Sequence, residues 1–475
     1  MSVARRPPII MLTRRTLFAS ATAALAAPAL LARTPDPIVE LEERTFRFFW
    51  DTTDARTGLA PDRWPTPSFA SIAAIGFALT AYPIGVVNGW VNREAARDRT
   101  LATLRFLWDL PQGPAATGVA GHKGFFYHFL DMTRGHRFAR CELSTIDTAL
   151  LMAGVLFAGT WFDRADSAER EIRELADRLY ARVDWRWAQD RADDPRLSMG
   201  WHPETGFIAR RWNGYTEAML LYVLALGSPS HAVGADAWTA WCATYPDSWR
   251  GQGTARHLAG APHFWHQYSH VWIDFRGIRD AAMRDAGFDY FENSRRATRA
   301  QRDYAIRNPG GWAGYGENVW GLTACDGPGD LVVTAGGRER RIGSYGARGP
   351  VGFPDGQDDG TLAATAVAAS LPFAPELVEP ALATIRQRYG AAVWSRYGFL
   401  DSFHPTLTDP RLPVRKGRVH AGLCWVDDDY LGIDQGPIVA MIENARSGLV
   451  WSAMRDRADI RRGLRRAGFT GGWLS

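Results

Sequence analysis

The run Asn213-Gly-Tyr-Thr-Glu-Ala-Met-Leu-Leu-Tyr-Val-Leu-Ala-Leu-Gly227 leaves this chain little freedom in how it can fold. From Tyr215 onward it is apolar or aromatic except for Thr216 and Glu217, and Gly227 with Pro229 ends it. A segment without a polar face predicts a helix buried on every side and stopped by glycine. Such a helix needs a layer of other elements around it. Its one carboxylate, Glu217, is predicted in the first turn, and two roles fit it. Either it favours the positive end of the helix dipole, or burial raises its pKa so that it can act as a general acid near neutral pH.

Helical patterns recur roughly every 30–40 residues along the rest of the chain. They are predicted over 37–50, 72–82, 93–110, 144–157, 167–183, 289–306, 361–370, 375–389, 436–448 and 456–467, the helix at 436 being entered by Pro437. Some of these are apolar all round and others amphipathic. Strand signals are few and short: 124–131, a hairpin over 199–207, and weak runs near 331–334 and 341–342. Long loops rich in Gly and aromatic residues separate the helices. The expected fold is therefore all-α: an (α/α)6 barrel, or toroid, with a buried inner ring, an amphipathic outer ring, long rim loops and a few short strands. A doubly wound sheet would need regular buried strands between the helices, and there are none.

The first residues read as a targeting signal. Arg14-Arg15 precede Thr16-Leu17-Phe18, an apolar run from Ala19 to Leu31 follows, and small residues lie near Ala27 and Ala32. Thr13 to Phe18 is similar to a twin-arginine export motif. Residues 1–32 are assigned to a signal peptide of that type and 33–475 to a single catalytic domain, with Met11 a second candidate start. The apolar run is shorter than a membrane span needs. The expected location is thus periplasmic or secreted, with no membrane attachment once the leader is removed.

The formal net charge is +4, but the leader holds Arg5, Arg6, Arg14 and Arg15 and no acid. Without those four the mature chain is near neutral, which gives no reason to expect a nucleic-acid partner. A monomer is expected. Cys141, Cys242, Cys325 and Cys424 are scattered without zinc-finger or CxxC spacing, and free, mostly buried thiols are expected. His263, His266 and His270 lack the HExxH pattern. The acids of Asp355-Gly-Gln-Asp-Asp-Gly360 lack calcium-loop spacing. No metal or cofactor is expected. With 20 Trp, 14 Tyr and 23 Phe, many beside Gly, Asn, His and Asp, the composition suits a cleft in which aromatic faces stack on sugar rings.

Acids placed at helix mouths carry the candidate chemistry. Glu142 precedes the helix at 144 on its rim side. Ser144-x-x-Asp147 fits a helix cap as well as a site. Asp434 sits between Ile433 and Gly436-Pro437, where a carboxylate would be held rigidly or would cap the helix. The triplet Asp427-Asp428-Asp429 reads as a solvated turn. Glu317 and Asn318, between Tyr315 and Trp320, suit hydroxyl binding around a stacking platform. Acids among Trp and Tyr point to glycosidic cleavage, which needs one carboxylic acid to protonate the leaving oxygen and one carboxylate as base or nucleophile.

Six segments carry a family resemblance: Gly124-Phe-Phe-Tyr-His-Phe-Leu130, Glu142-Leu-Ser-Thr-Ile-Asp-Thr-Ala-Leu150, Tyr215-Thr-Glu-Ala-Met219, Phe291-Glu-Asn-Ser-Arg-Arg-Ala-Thr298, Tyr315-Gly-Glu-Asn-Val-Trp-Gly-Leu-Thr323, and Ile433-Asp-Gln-Gly-Pro-Ile438 with Ile442-Glu-Asn444. Together they resemble the glycoamylase-like domain family. That family includes the endo-β-1,2-glucanases of glycoside hydrolase family 144 and is similar to the transglycosylating domain of cyclic β-1,2-glucan synthases.

The resemblance implies an (α/α)6 barrel that cleaves β-1,2-linked glucose polymers without a metal and inverts the anomeric centre. It implies Glu217 as general acid and Asp434 as candidate base, with Glu142 and Asp147 as further acids of the cleft. It also implies that Tyr215, His128, Arg295, Glu317 and Trp320 line sugar subsites, and that the 330–360 loop closes one end of the cleft. Three other readings fit the residues: a glycosidase of the same fold on another glycan, a polysaccharide lyase using Tyr268, His266 and Arg276, and a glycan-binding protein without catalysis.

Overall fold

A serine opens each of the two longest apolar helices. Ser71 accepts a hydrogen bond from the Ala74 N–H ahead of Ile72–Val87, and Ser144 does the same for the Asp147 N–H ahead of Thr145–Trp161. Each satisfies a backbone donor that the first helical turn leaves free. In this computed structural model, which describes residues 36–335 and 337–475, these helices are buried along almost their whole length. Ala218–Gly227, Tyr268–Trp272, Ala364–Ala368 and most of Gly432–Arg446 are buried in the same way. The chain is mostly helical, with short strands confined to the connections.

Amphipathic helices cover this set. Ser167–Arg182 buries Ile172, Leu175, Ala176 and Leu179 and exposes its charges. Pro37–Thr52, Arg93–Asp109, Tyr290–Arg307, Pro375–Val393 and Ala458–Arg466 also carry a single buried face. The buried helices pack on one another: Ile72–Val87 lies between Thr145–Trp161 and Gly432–Arg446, and Ala218–Gly227 bridges Thr145–Trp161 and Tyr268–Trp272. The closest approach is between glycines. A Cβ on Gly154 would stand 2.0 Å from the Gly76 carbonyl oxygen, and one on Gly76 would stand 2.4 Å from that of Leu150. Only glycine allows the two backbones to meet there.

The largest sheet is antiparallel and five-stranded: Gly121–His122, Phe125–Tyr127, Leu143–Ser144, Gly200–His202 and Gly206–Phe207, in that order. It contains Phe125–Tyr127 from the expected 124–131 segment and the 199–207 hairpin, while Phe129–Leu130 pairs with Ala70–Ser71 in a separate two-stranded sheet. Leu331–Ala335 pairs with Arg338–Ile342, joining the two weak strand signals into one hairpin. All four cysteines are free, two of them buried. No helix among the described residues is long and apolar enough to cross a membrane. The proposed leader lies outside the described residues.

Several expected boundaries move. The helix expected over 213–227 begins only at Ala218, which leaves Glu217 at its mouth. The helix expected at 72–82 continues through Pro83 to Val87, and Leu449–Arg455 is an additional short helix. The helix expected over 436–448 begins four residues earlier, at Gly432, so Pro437 lies inside it and Asp434 in its first turn. A proline at that position cannot donate to the Ile433 carbonyl. The Tyr268 hydroxyl donates to that oxygen instead, at 3.3 Å.

Candidate active site

Four of the buried helices open onto one cavity of about 180 Å³. Asp147 comes from the first turn of Thr145–Trp161, Glu217 from the mouth of Ala218–Gly227, Tyr268 from the start of its helix and Asp434 from the first turn of Gly432–Arg446. His128, Phe264, Ala324 and Tyr345 complete the wall. The positive ends of these helices favour anions here. For two of the carboxyls, burial outweighs that effect.

Glu217 is the clearest case. It is 8% exposed, makes no side-chain capping bond, and its Oε2 meets no hydrogen-bond partner among the described residues. Burial, reinforced by the charge of Asp147, raises its pKa to about 8. The group therefore keeps its proton at neutral pH. Its backbone is anchored separately, because the Ser269 hydroxyl donates to its carbonyl at 3.1 Å. The dipole role is thus not the one this side chain plays.

His128 and two acids form the next part of the wall. His128 Nδ1 lies 2.8 Å from Glu142 Oε1, and its Nε2 lies 3.5 Å from Asp147 Oδ2. Desolvation opposes the charge on this imidazole, but Asp147 and Glu142 overcome it and raise the pKa to about 9. Its ring stacks on Phe129 with centroids 3.9 Å apart. Glu142 is held down by His128 despite burial. The Ser144 hydroxyl donates to Asp147 Oδ2 and also caps the Asp147 N–H. Asp147 thus serves the helix cap and the cavity together.

Asp434 belongs to a buried acidic group whose other members the sequence reading did not place in the site. Asp62, Asp326, Asp401, Asp427, Asp429 and Asp434 are all buried. The expectation of a solvated turn at 427–429 is wrong for two of its three residues. Asp427 and Asp429 are fully buried, and only Asp428 faces outward, to Arg418. The strand Cys424–Val426, buried throughout, runs into this turn and carries it into the interior. Asp326, Asp401 and Asp427 place oxygens within 4.8 Å of one another. An internal cation already serves this cluster: Lys416 Nζ bonds Asp326 and lies 3.5 Å from Asp427 and 3.4 Å from Asp429, while Arg63 reaches Asp326 at 2.6 Å. Burial raises Asp434 to about 7, with the Asp326 and Asp62 charges adding to the rise and Tyr268 and Asp401 opposing it.

Other sequence-chosen residues lie elsewhere. Tyr215 is buried beside the cavity, stacked parallel to Tyr290 at 5.9 Å, and lines an adjoining pocket of about 190 Å³ with Arg210, Trp265 and Asp355. Arg295, on an outer helix, pairs with Glu292 at 2.6 Å and does not line the cavity. The stacking platform expected around Trp320 is corrected. Its indole is 1% exposed and packed in the core with Leu322, Leu362 and Val367, while Glu317 is on the surface bonded to Arg302. Those residues keep an apolar loop seated, and the sequence gives no sign of which aromatic faces inward. For the lyase reading, Tyr268 is present but Arg276 is engaged by Asp274 at 2.8 Å and lies over Trp451. His266 is buried and held neutral by desolvation.

A cavity between an acid that keeps its proton and a second carboxylate can move a proton at each end of a bond. The Glycoamylase family model matches residues 209–458, more than half of the chain and including both carboxyls. The chain belongs to the Glycoamylase family. An exo β-1,2-glucooligosaccharide sophorohydrolase (non-reducing end) of Parabacteroides distasonis is 26% identical over 456 residues, covering 90% of this chain. The chain spans 57% of the length of that curated relative. Among solved structures, an endo-β-1,2-glucanase of Chitinophaga pinensis, in complex with sophorotriose and glucose, is 25% identical with a TM-score of 0.76. The likeness covers 92% of this chain and 98% of that one. A β-1,2-glucanase of Parabacteroides distasonis is 26% identical with a TM-score of 0.76, covering 91% and 59%. This Glycoamylase-family chain thus has relatives named for exo action and for endo action on the same linkage.

Proposed function

We propose that this chain is a glycoside hydrolase that cleaves β-1,2-glucan or its oligosaccharides by acid/base catalysis, without a metal. The observation that carries the reading is Glu217, a buried carboxyl lining a cavity that Asp434 enters from another helix, with one oxygen that has no hydrogen-bond partner among the described residues. The names of the relatives support the linkage. Among the described residues, six buried helices covered by six amphipathic ones support an (α/α)6 toroid.

Glu217 donates its proton to the glycosidic oxygen as the bond from that oxygen to C1 breaks. A water oxygen forms the new bond to C1 from the opposite face, and Asp434 takes the proton that this water loses. The configuration at C1 inverts, which requires room for the water between the carboxyls. His128, held cationic by Glu142 and Asp147, fixes the acidic wall around the reacting sugar. The substrate is a neutral glucan, and the mature chain works as a monomer in the periplasm or outside the cell.

Tyr345, on the loop between Asp326 and Gly360, bounds the cavity on one side. That loop is stiffened by Arg348, which bonds Asp359 at 2.7 Å and the Cys325 carbonyl at 2.6 Å. A fixed wall on one side favours release of short products from a chain end. The test is incubation of the mature protein with linear β-1,2-glucan, following reducing ends and product sizes, with Glu217→Gln as control. Reducing ends that vanish in the variant support the reading, and a single short product supports exo action. Activity on β-1,3- or β-1,4-glucan alone overturns the linkage.

A further inference from the structure

Tyr345 lines the cavity but takes no part in the chemistry above. Its side chain is 59% exposed, whereas the cavity's other tyrosine, Tyr268, is 3% exposed. Its hydroxyl nevertheless lies deep: burial raises its pKa, and the charges of Asp434 and Asp401 add to the rise. The ring is therefore open to the cleft and not to the outer surface, and its hydroxyl keeps its proton. Among the described residues that hydroxyl has no hydrogen-bond partner and no other ring stacks on its face. An open aromatic face suits the CH face of a pyranose, and a free phenol beside it suits a sugar hydroxyl.

One buried side chain holds the backbone on both sides of this ring. Arg348 is 2% exposed. Its Nη2 donates to the Ser344 carbonyl at 2.8 Å and its Nη1 to the Gly346 carbonyl at 3.0 Å, the residues immediately before and after Tyr345. Nη1 also donates to the Cys325 carbonyl at 2.6 Å, and Nε and Nη2 donate to Asp359 at 2.7 and 3.0 Å. All five N–H groups of the guanidinium thus have an acceptor. Cys325 and Gly346 exchange backbone bonds of 3.1 and 3.3 Å. Asp359 in turn accepts the Gly343 N–H at 3.1 Å, and its neighbour Asp358 accepts the Tyr304 and Tyr315 hydroxyls at 2.9 and 2.8 Å. Gly327 leaves room for the turn: a Cβ there would stand 2.3 Å from the Gly343 carbonyl oxygen and 2.6 Å from Arg348 Nη2. A buried ion pair rarely adds stability over an apolar replacement. What this one supplies is a single backbone conformation over 344–346.

We propose that Tyr345 binds the glucan, stacking its ring on one glucose unit and donating its hydroxyl to a sugar oxygen, and that Arg348 is the positioning residue that holds it there. This inference rests on the reading of the cavity as a glucan site. Tyr345 supplies affinity and moves no proton, so its loss shows in KM before kcat. Arg348 is walled off from the substrate, so its effect on binding passes through the ring.

The test is a double-mutant cycle on linear β-1,2-glucan with wild type, Tyr345→Ala, Arg348→Lys and the double variant, and with Tyr345→Phe alongside. Lysine keeps a charge for Asp359 but lacks the planar fork that reaches both carbonyls beside Tyr345. Tyr345→Ala is expected to raise KM roughly tenfold with a smaller fall in kcat. Tyr345→Phe keeps the ring, loses the hydroxyl and should raise KM less. Arg348→Lys should also raise KM, and should add nothing once Tyr345 is replaced by alanine. A role in folding alone would cost the same in both backgrounds. An unchanged KM in Tyr345→Ala, or an undiminished effect of Arg348→Lys in the Tyr345→Ala background, overturns the proposal. Should Arg348→Lys not fold, Asp359→Asn loosens the same grip and takes its place in the cycle. A wild type silent on the glucan would instead overturn the proposed function. Calorimetric titration of Glu217→Gln, with and without Tyr345→Ala, with sophorotriose then still decides whether the ring binds sugar. Weaker binding without the ring supports the inference, while equal affinities, or no binding by either protein, overturn it.

Discussion

The Tyr268 hydroxyl donates to the Ile433 carbonyl, the oxygen that Pro437 leaves without a helical N–H. The same tyrosine opposes the rise that burial imposes on the pKa of Asp434. One group therefore repairs a helix and makes an acid easier to ionise. Tyr268→Phe removes both effects. Asp434 then needs a higher pH to ionise, so the acid limb of the activity profile moves upward, and stability falls by roughly 1–3 kcal/mol from the orphaned carbonyl. A kcat/KM profile and a urea titration read the two effects separately. An unmoved acid limb would count against Asp434 as base.

The pH optimum follows from two raised carboxyls. Asp434 must be ionised, which happens above about 7. Glu217 must be protonated, which holds below about 8. Activity is expected as a bell centred between these values, falling on the acid side as Asp434 gains a proton and on the alkaline side as Glu217 loses one. Glu217→Gln should lower kcat by roughly 10²–10⁴-fold with little change in KM. An optimum near pH 4 would be incompatible with this site.

Glu217 is also a stability liability. Its native pKa of about 8 lies above the ordinary value of 4.5. Between those pH values the unfolded chain releases a proton that the native chain keeps, so native stability declines as pH rises through the window and levels off above about 8. Glutamine carries no such penalty. Glu217→Gln should melt with wild type at pH 4.5 and progressively above it toward pH 8, by at most a few kcal/mol at about 1.4 per pKa unit. Calorimetry across that range checks it.

Lys416 is the cation among Asp326, Asp427 and Asp429. Lys416→Met keeps the stem but removes the charge, leaving buried acids with Arg63 alone. The expected loss is roughly 3–5 kcal/mol at pH 8. It should shrink at pH 5, where the acids can take up protons instead. Denaturant titrations at the two pH values test this, and an equal loss at both would mean that packing of the stem, not charge, is what matters.

Much of the fold was legible because apolar runs such as 72–82 and 144–157 left no polar face to expose. The part of the site carried on those runs was legible as well. Glu217, Asp434, Asp147 and His128 meet in one cavity because each sits at or beside the mouth of a buried helix. Asp62, Asp326 and Asp401 were not legible. They lie on connections, where local pattern says nothing about burial, and their company is assembled from segments far apart in the chain. Trp320 misled for the complementary reason: an aromatic residue beside Glu317 and Asn318 has the composition of a sugar platform, but tertiary packing turns it into the core.

The contact between Gly76 and Gly154 sets the register of the acids some distance away. Asp147 stands two turns before Gly154 on the same rigid helix, and each residue of axial slip rotates a side chain by about 100°. With no Cβ on either glycine, the two backbones seat at a single depth, like a key in its notch. An alanine at Gly154 should therefore do more than crowd the core. By lifting one helix off the other it would swing Asp147 away from His128 and change the field at Glu217, a loss of alignment seen in the pH profile before any loss of fold.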